Sequence, residues 1–179
     1  MTPDLATPSA RQGNSAFATS LALLLIRLVL GWIFIYHGSQ KLFGCFTPDG
    51  KPVVTLLAQG LAANPLPLFA PLVWAYIAAI GEFVGGLTVF LGLLARLGSL
   101  PILVTMWVAI ATVHGKNGFG MQTGGYEYNL ALIAMAGAIL IAGPGLVSAD
   151  AYIFRRGFWA RGPQPLQEPG KRETVPSKT

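Results

Sequence analysis

Long apolar runs separated by short polar or glycine-rich breaks dominate the chain. A helix needs about 20 consecutive apolar residues to cross a bilayer core. The run LALLLIRLVLGWIFIY, broken only by Arg27, predicts a first span over about residues 19–43. It follows a polar segment containing Asp4, Arg11 and Asn14 and is too long for a signal core, so it is expected to stay as a helix. Pro71 suits the first turn of a second span over about 72–94. After a tight ARLGS connection, a third span over about 97–114 tolerates Pro101 in its first turns. A fourth, over about 126–142, is stopped by Gly143, Pro144 and Gly145. The stretch VVTLLAQGLAA is too short to cross and predicts a short helix in the membrane interface. GKNGFGMQTGG reads as a flexible outer loop, and SADAYIFRRGFW as an interfacial helix over about 148–159, with Ser148 or Asp150 near its start. Residues 1–17 and 161–179 read as a disordered arm and tail. The expected fold is all-α: an integral membrane four-helix bundle over residues 18–160.

Composition supports this. Only 11% of the residues are charged, against about 25% in water-soluble domains. The formal charge of +5 falls largely in residues 155–178, beside the last span, where basic residues set topology and touch anionic lipid. Nucleic acid is therefore not an expected partner; the lipid bilayer is. Arg11, Arg96, Arg155, Arg156 and Arg161 fall on one side and Lys41, Lys51 and Lys116 on the other. This bias places both termini in the cytoplasm and the protein in the cell inner (cytoplasmic) membrane. Cys45, the only cysteine, excludes an internal disulfide, a CxxC pair and a thiolate metal cage.

Small residues recur at helix-packing spacing: Gly31 and Gly38 in the first span, Gly81, Gly85 and the line Ala78, Glu82, Gly86 in the second, and Ala134, Ala138 and Ala142 in the fourth. Ionisable groups at lipid depth are costly and take interior partners. At the standard rise, Arg27 lies about 12 Å and Glu82 about 18 Å from the same side. A buried Arg27–Glu82 ion pair is expected, either as a staple of helix register or as a charge in a ligand pocket. A second polar group collects at the outer ends. His37 and Lys41 share a face at four-residue spacing, His114 ends the third span, and Glu127 and Asn129 begin the fourth between Tyr126 and Tyr128. They are readable as interfacial groups meeting water, as ligands to an anionic or carbonyl-bearing small molecule such as a quinone head, or as two histidines and a carboxylate for a metal. No HxxxH or ExxH pair supports the metal reading, so none is expected. The dinucleotide and phosphate-loop glycine fingerprints and the GxSxG elbow are absent.

Four stretches carry a family resemblance: RLVLGWIFIYHGSQKLFG, GEFVGGLTVFLGLLARLGS, VAIATVHGKNGF followed by GYEYNLAL, and GPGLVSAD. In this order and spacing the chain resembles the DoxX family of small four-helix membrane proteins; alanine after Ser148, where leucine is expected, is a minor departure. The resemblance implies Arg27, His37, Lys41, Glu82, His114 and Glu127 as the family's polar positions. It also implies kinship with a small subunit of a thiosulfate:quinone oxidoreductase and with membrane parts of redox complexes. The expected function is thus a membrane subunit of a redox system, non-catalytic by itself, holding a quinone-like or other small ligand in the outer half of the bundle beside a protein partner. The alternative is a non-enzymatic anchor or assembly factor.

Overall fold

The computed structural model describes residues 8–63 and 70–154. The first residues of the expected arm, the end of the interfacial helix and the tail lie outside them. Every regular element among the described residues is helical.

Helix α1 spans Pro8–Phe43. It begins before the expected residue 19, so residues 8–17 are helical rather than part of an arm. Extending an existing helix costs far less than nucleating one, and Ala, Arg and Gln in this segment accept it. The hydroxyls of Thr19 and Ser20 donate back to the Ser15 and Ala16 carbonyls. Helix α2 is Val54–Ala62, the short helix expected between the first two spans. It docks by one face, with Val54, Ala58 and Leu61 packed on Ala75 and Ala79 of the following helix. Helix α3 is Pro71–Leu91, closed by Gly92 at φ 70°. Helix α4 is Ala95–Ala109. A π-helical turn, Ile110–His114, and a 3-10 turn, Gly115–Asn117, prolong it. Helix α5 is Glu127–Ala142 and α6 is Ala149–Phe154. The Ser148 hydroxyl accepts the Ala151 N–H ahead of α6, the work of an N-cap.

Among the described residues three segments, Ser15–Phe43, Pro71–Leu91 and Ala95–Asn117, are long and apolar enough to cross a membrane. Helix α5 is apolar but shorter, about 24 Å at the standard rise. The helices turn large apolar side chains outward, among them Leu25, Trp32, Ile77, Val84, Val104 and Trp107. So much exposed apolar surface suits lipid and not water. The chain is an all-α membrane bundle.

Inside it, Leu30, Phe34, Val89, Ile102, Leu132 and Ile139 form the shared core of α1, α3, α4 and α5. Glycines set the closest approaches, as helix association in lipid favours. A Cβ on Gly31 would lie 2.7 Å from the Phe90 nitrogen, one on Gly38 2.6 Å from that of Phe83, and one on Gly86 2.7 Å from that of Ile35. Gly85 meets the Gly98 carbonyl of α4 in the same way, at 2.7 Å. The alanine line of the fourth span is not a packing face, for Ala134 and Ala142 are exposed. Helix α5 instead buries Asn129, Leu132, Ala136 and Ile139. Gly38→Ala should therefore cost about 1–3 kcal/mol through overpacking. The same change at Gly137, which has open space around it, should be neutral or stabilise by up to about 1 kcal/mol. Thermal unfolding of the two variants in detergent separates the effects.

Candidate functional site

Arg27 and Glu82 are both buried, at 2% and 1% exposure, but they do not pair, which corrects the sequence expectation. Among the described residues the Arg27 guanidinium donates hydrogen bonds only to backbone carbonyls. Its Nε donates to Val89 (3.1 Å), Nη1 to Pro144 (2.6 Å) and Val147 (2.7 Å), and Nη2 to Phe90 (3.3 Å). Val89 and Phe90 lie in the last turn of α3, where unsatisfied carbonyls carry partial negative charge. The buried cation is thus held by a helix end and by the 143–148 loop. Asp150 closes the same corner, accepting the Leu94 N–H at 2.9 Å while its own N–H donates to Gly92 at 2.9 Å. The cause is register. The Gly31–Phe90 and Gly38–Phe83 contacts bring Arg27 to Gly92, whose added Cβ would lie 2.6 Å from the Arg27 Cζ. Glu82 lies ten residues earlier in α3, about 15 Å along the axis, beyond the reach of an arginine side chain.

Glu82 instead pairs with Lys41, through Oε2. The carboxylate side chain is 2% exposed and the lysine 21%, so the pair is reached from the Lys41 side. One turn back on α1, exposed His37 lies edge-on to Tyr36, their ring centroids 5.4 Å apart, and Tyr36 stacks on Phe46 at 4.7 Å. Phe43 meets Phe83 edge-on at 5.3 Å. Aromatic rings thus neighbour both charged residues in sequence, on α1 and on α3.

The other expected site residues serve the 115–126 segment and the α4–α5 contact. His114 Nδ1 donates to the Gly124 carbonyl (2.7 Å), which also accepts Asn117 Nδ2 (3.1 Å). Glu127 Oε2 accepts the Met121 N–H (3.1 Å), while the Tyr126 and Glu127 N–H groups donate to Gly118 and Phe119. The segment expected as a flexible loop is therefore a hydrogen-bonded cap, with Gly118 and Gly124 at φ 77° and 75°, where a side chain would be strained. Buried Asn129 donates to the Met106 sulfur at 3.4 Å. Among the described residues no hydrogen bond, ion pair or ring contact joins His114, Glu127 or Asn129 to His37, Lys41 or Glu82, and no three His, Cys, Asp or Glu side chains gather so as to hold a metal ion. A separate apolar cleft of about 310 Å³, floored by Gly81, Gly85 and Gly98 between α3 and α4, includes none of these residues.

A family model for DoxX matches residues 22–115, more than half of the chain. The chain belongs to the DoxX family. The matched stretch contains Arg27, His37, Lys41, Glu82 and His114, so the Lys41–Glu82 pair falls inside it, as does Arg27 with its α3 carbonyls, while the 143–148 loop, Asp150, Glu127 and Asn129 do not. A Bacillus subtilis (strain 168) protein named Putative oxidoreductase CatD is 29% identical over 142 residues, covering 79% of this chain and 92% of that relative. No solved structure gives a significant match.

Sequence reasoning read Asp150 only as a helix start, and it missed the four carbonyls that hold Arg27. The carbonyls leave no trace in residue types; the GPGLVSAD stretch, with its paired glycines and acidic residue, was the available signal. If His114 braces the DoxX chain's cap, His114→Ala should speed amide exchange across residues 115–126 by about tenfold, the equivalent of one net hydrogen bond. The unfolding temperature of the bundle should stay within about 2 °C. Hydrogen-exchange mass spectrometry in detergent reads both.

Proposed function

We propose that the protein is a membrane-embedded subunit of an oxidoreductase system, lying in the cytoplasmic membrane with both termini inside. It holds a quinone-like or other small ligand at the end of the bundle where α1 and α3 bring Lys41 to Glu82. The observation that carries this is the pair itself: an ionisable couple in a lipid-embedded interior, sealed on the carboxylate side and open on the lysine side. Ionisable groups at membrane depth are costly and are functional-site candidates by default. His37 and the Tyr36–Phe46 stack supply polar and aromatic surface on the adjoining turn. Family membership and the oxidoreductase name of the Bacillus relative support the redox assignment. A protein partner supplies the electron-transfer centre.

The test is titration of the purified chain in detergent with a short-chain quinone, followed by calorimetry. Saturable binding is expected, weakened about tenfold or more by Lys41→Met, which removes a charge-assisted hydrogen bond. Absence of saturable binding, together with no quinone in protein taken from native membrane, would overturn the proposal.

The second reading, an anchor or assembly factor, draws support from one observation. Arg27, His114, Glu127 and Asn129 all spend polar atoms on the fold. It expects cellular function to survive Lys41→Met and to be lost when residues 148–179 are removed.

A further inference from the structure

The Lys41–Glu82 pair is incompletely used. Among the described residues Glu82 forms one side-chain bond, through Oε2, and Lys41 Nζ donates once, to that oxygen. No fully buried side-chain nitrogen or oxygen among the described residues lacks a partner. Glu82 Oε1, with none, therefore keeps a sliver of accessible surface on a residue that is 1% exposed. A protonated lysine has three donors and a carboxylate has acceptors only. What remains open is thus an acceptor on a buried carboxylate beside two donors on a part-exposed ammonium.

This pattern discriminates between chemical groups. A carbonyl oxygen accepts from Lys41 but offers nothing to Glu82. An oxyanion accepts from Lys41 while bringing a second negative charge toward a buried carboxylate, and the pair has no net charge to offset it. A hydroxyl on an uncharged ring satisfies both, accepting from Nζ and donating to Oε1. His37, one turn before Lys41 on the same face of α1, lies edge-on to Tyr36, which stacks on Phe46; these rings suit an aromatic ligand body.

We propose that the Lys41–Glu82 pair recognises a phenolic hydroxyl, so that the site favours the reduced, quinol form of a ring ligand over its quinone and over sulfur or carboxylate oxyanions. This rests on the ligand site proposed above and adds which redox form that site holds. Sites built to bond a hydroxyl reject analogues lacking it far more strongly than apolar pockets reject a missing methylene.

The experiment uses the full chain in nanodiscs under anaerobic conditions. The probes are 2,3-dimethoxy-5-methylhydroquinone, the matching quinone, the hydroquinone dimethyl ether and thiosulfate, each titrated by calorimetry. The expected result is hydroquinone binding at least about tenfold tighter than quinone, ether or thiosulfate, with Glu82→Gln reducing the margin over the quinone to about threefold or less. The ether keeps the ring and its acceptors but has no donor, so the wild-type comparison decides even if Glu82→Gln does not fold. Equal binding of hydroquinone and ether, or preference for quinone or thiosulfate, overturns the inference while leaving the ligand site standing. Binding of none of the four overturns both.

Discussion

Arg27→Leu is expected to lower the unfolding free energy by about 2–4 kcal/mol, through carbonyl acceptors left without their charged donor. The Pro144 and Val147 carbonyls lose the donor that ties the 143–148 loop to α1, whereas Val89 keeps the Gly92 N–H. An acceptor left without a partner costs about 1–3 kcal/mol when fully buried; both of these bonds are part-buried, so the two loop carbonyls account for part of the loss. Arg27→Lys should recover only part of it, because an ammonium on a flexible stem cannot reproduce a planar fork that bonds α3 and the loop together. Equilibrium unfolding in mixed detergent gives the free energies, and hydrogen exchange should localise the new opening to residues 143–150. A loss below about 0.5 kcal/mol, typical of unremarkable surface positions, would show that the corner does not hold the bundle. Ligand binding at Lys41 should persist in the folded fraction, since Arg27 and Glu82 share no bond.

Lys41→Met should cost about 2–4 kcal/mol, somewhat below the range for fully buried pairs because the lysine is part-exposed and water screens it. The substitution leaves the Glu82 carboxylate in the interior without its counter-charge. The double variant Lys41→Met with Glu82→Leu should return close to wild-type stability, because apolar replacements of similar volume commonly match or exceed a buried ion pair. The resulting cycle should show a coupling of about 2 kcal/mol, within the range for contacting residues. Ligand binding should not return with stability. A double variant that is stable and still binds would separate the pair from the site.

The apolar helices, their order and their breaks were legible because hydropathy is carried by each residue and its near neighbours. Pro71 opening α3, the glycines after α5 and the short helix α2 all followed from local chemistry. The early start of α1 was not legible, since a polar helical turn added to an apolar helix leaves no hydropathy signal. The buried state of Arg27 and Glu82 was legible too, because neither charge is tolerable in lipid. Their partners were not. Nor was the departure of Lys41 from the polar outer group to Glu82, or the use of His114 and Glu127 in a braced cap, for equal membrane depth says nothing about which helices touch.

By itself the sequence determined that the protein is a helical membrane bundle with charges turned inward. Only the tertiary structure decided which charge met which partner. The physical reason is that pairing depends on the vertical register of two antiparallel helices. That register is set where Gly31, Gly38 and Gly86 let backbones meet. Such contacts join residues about fifty positions apart, so no local pattern encodes them.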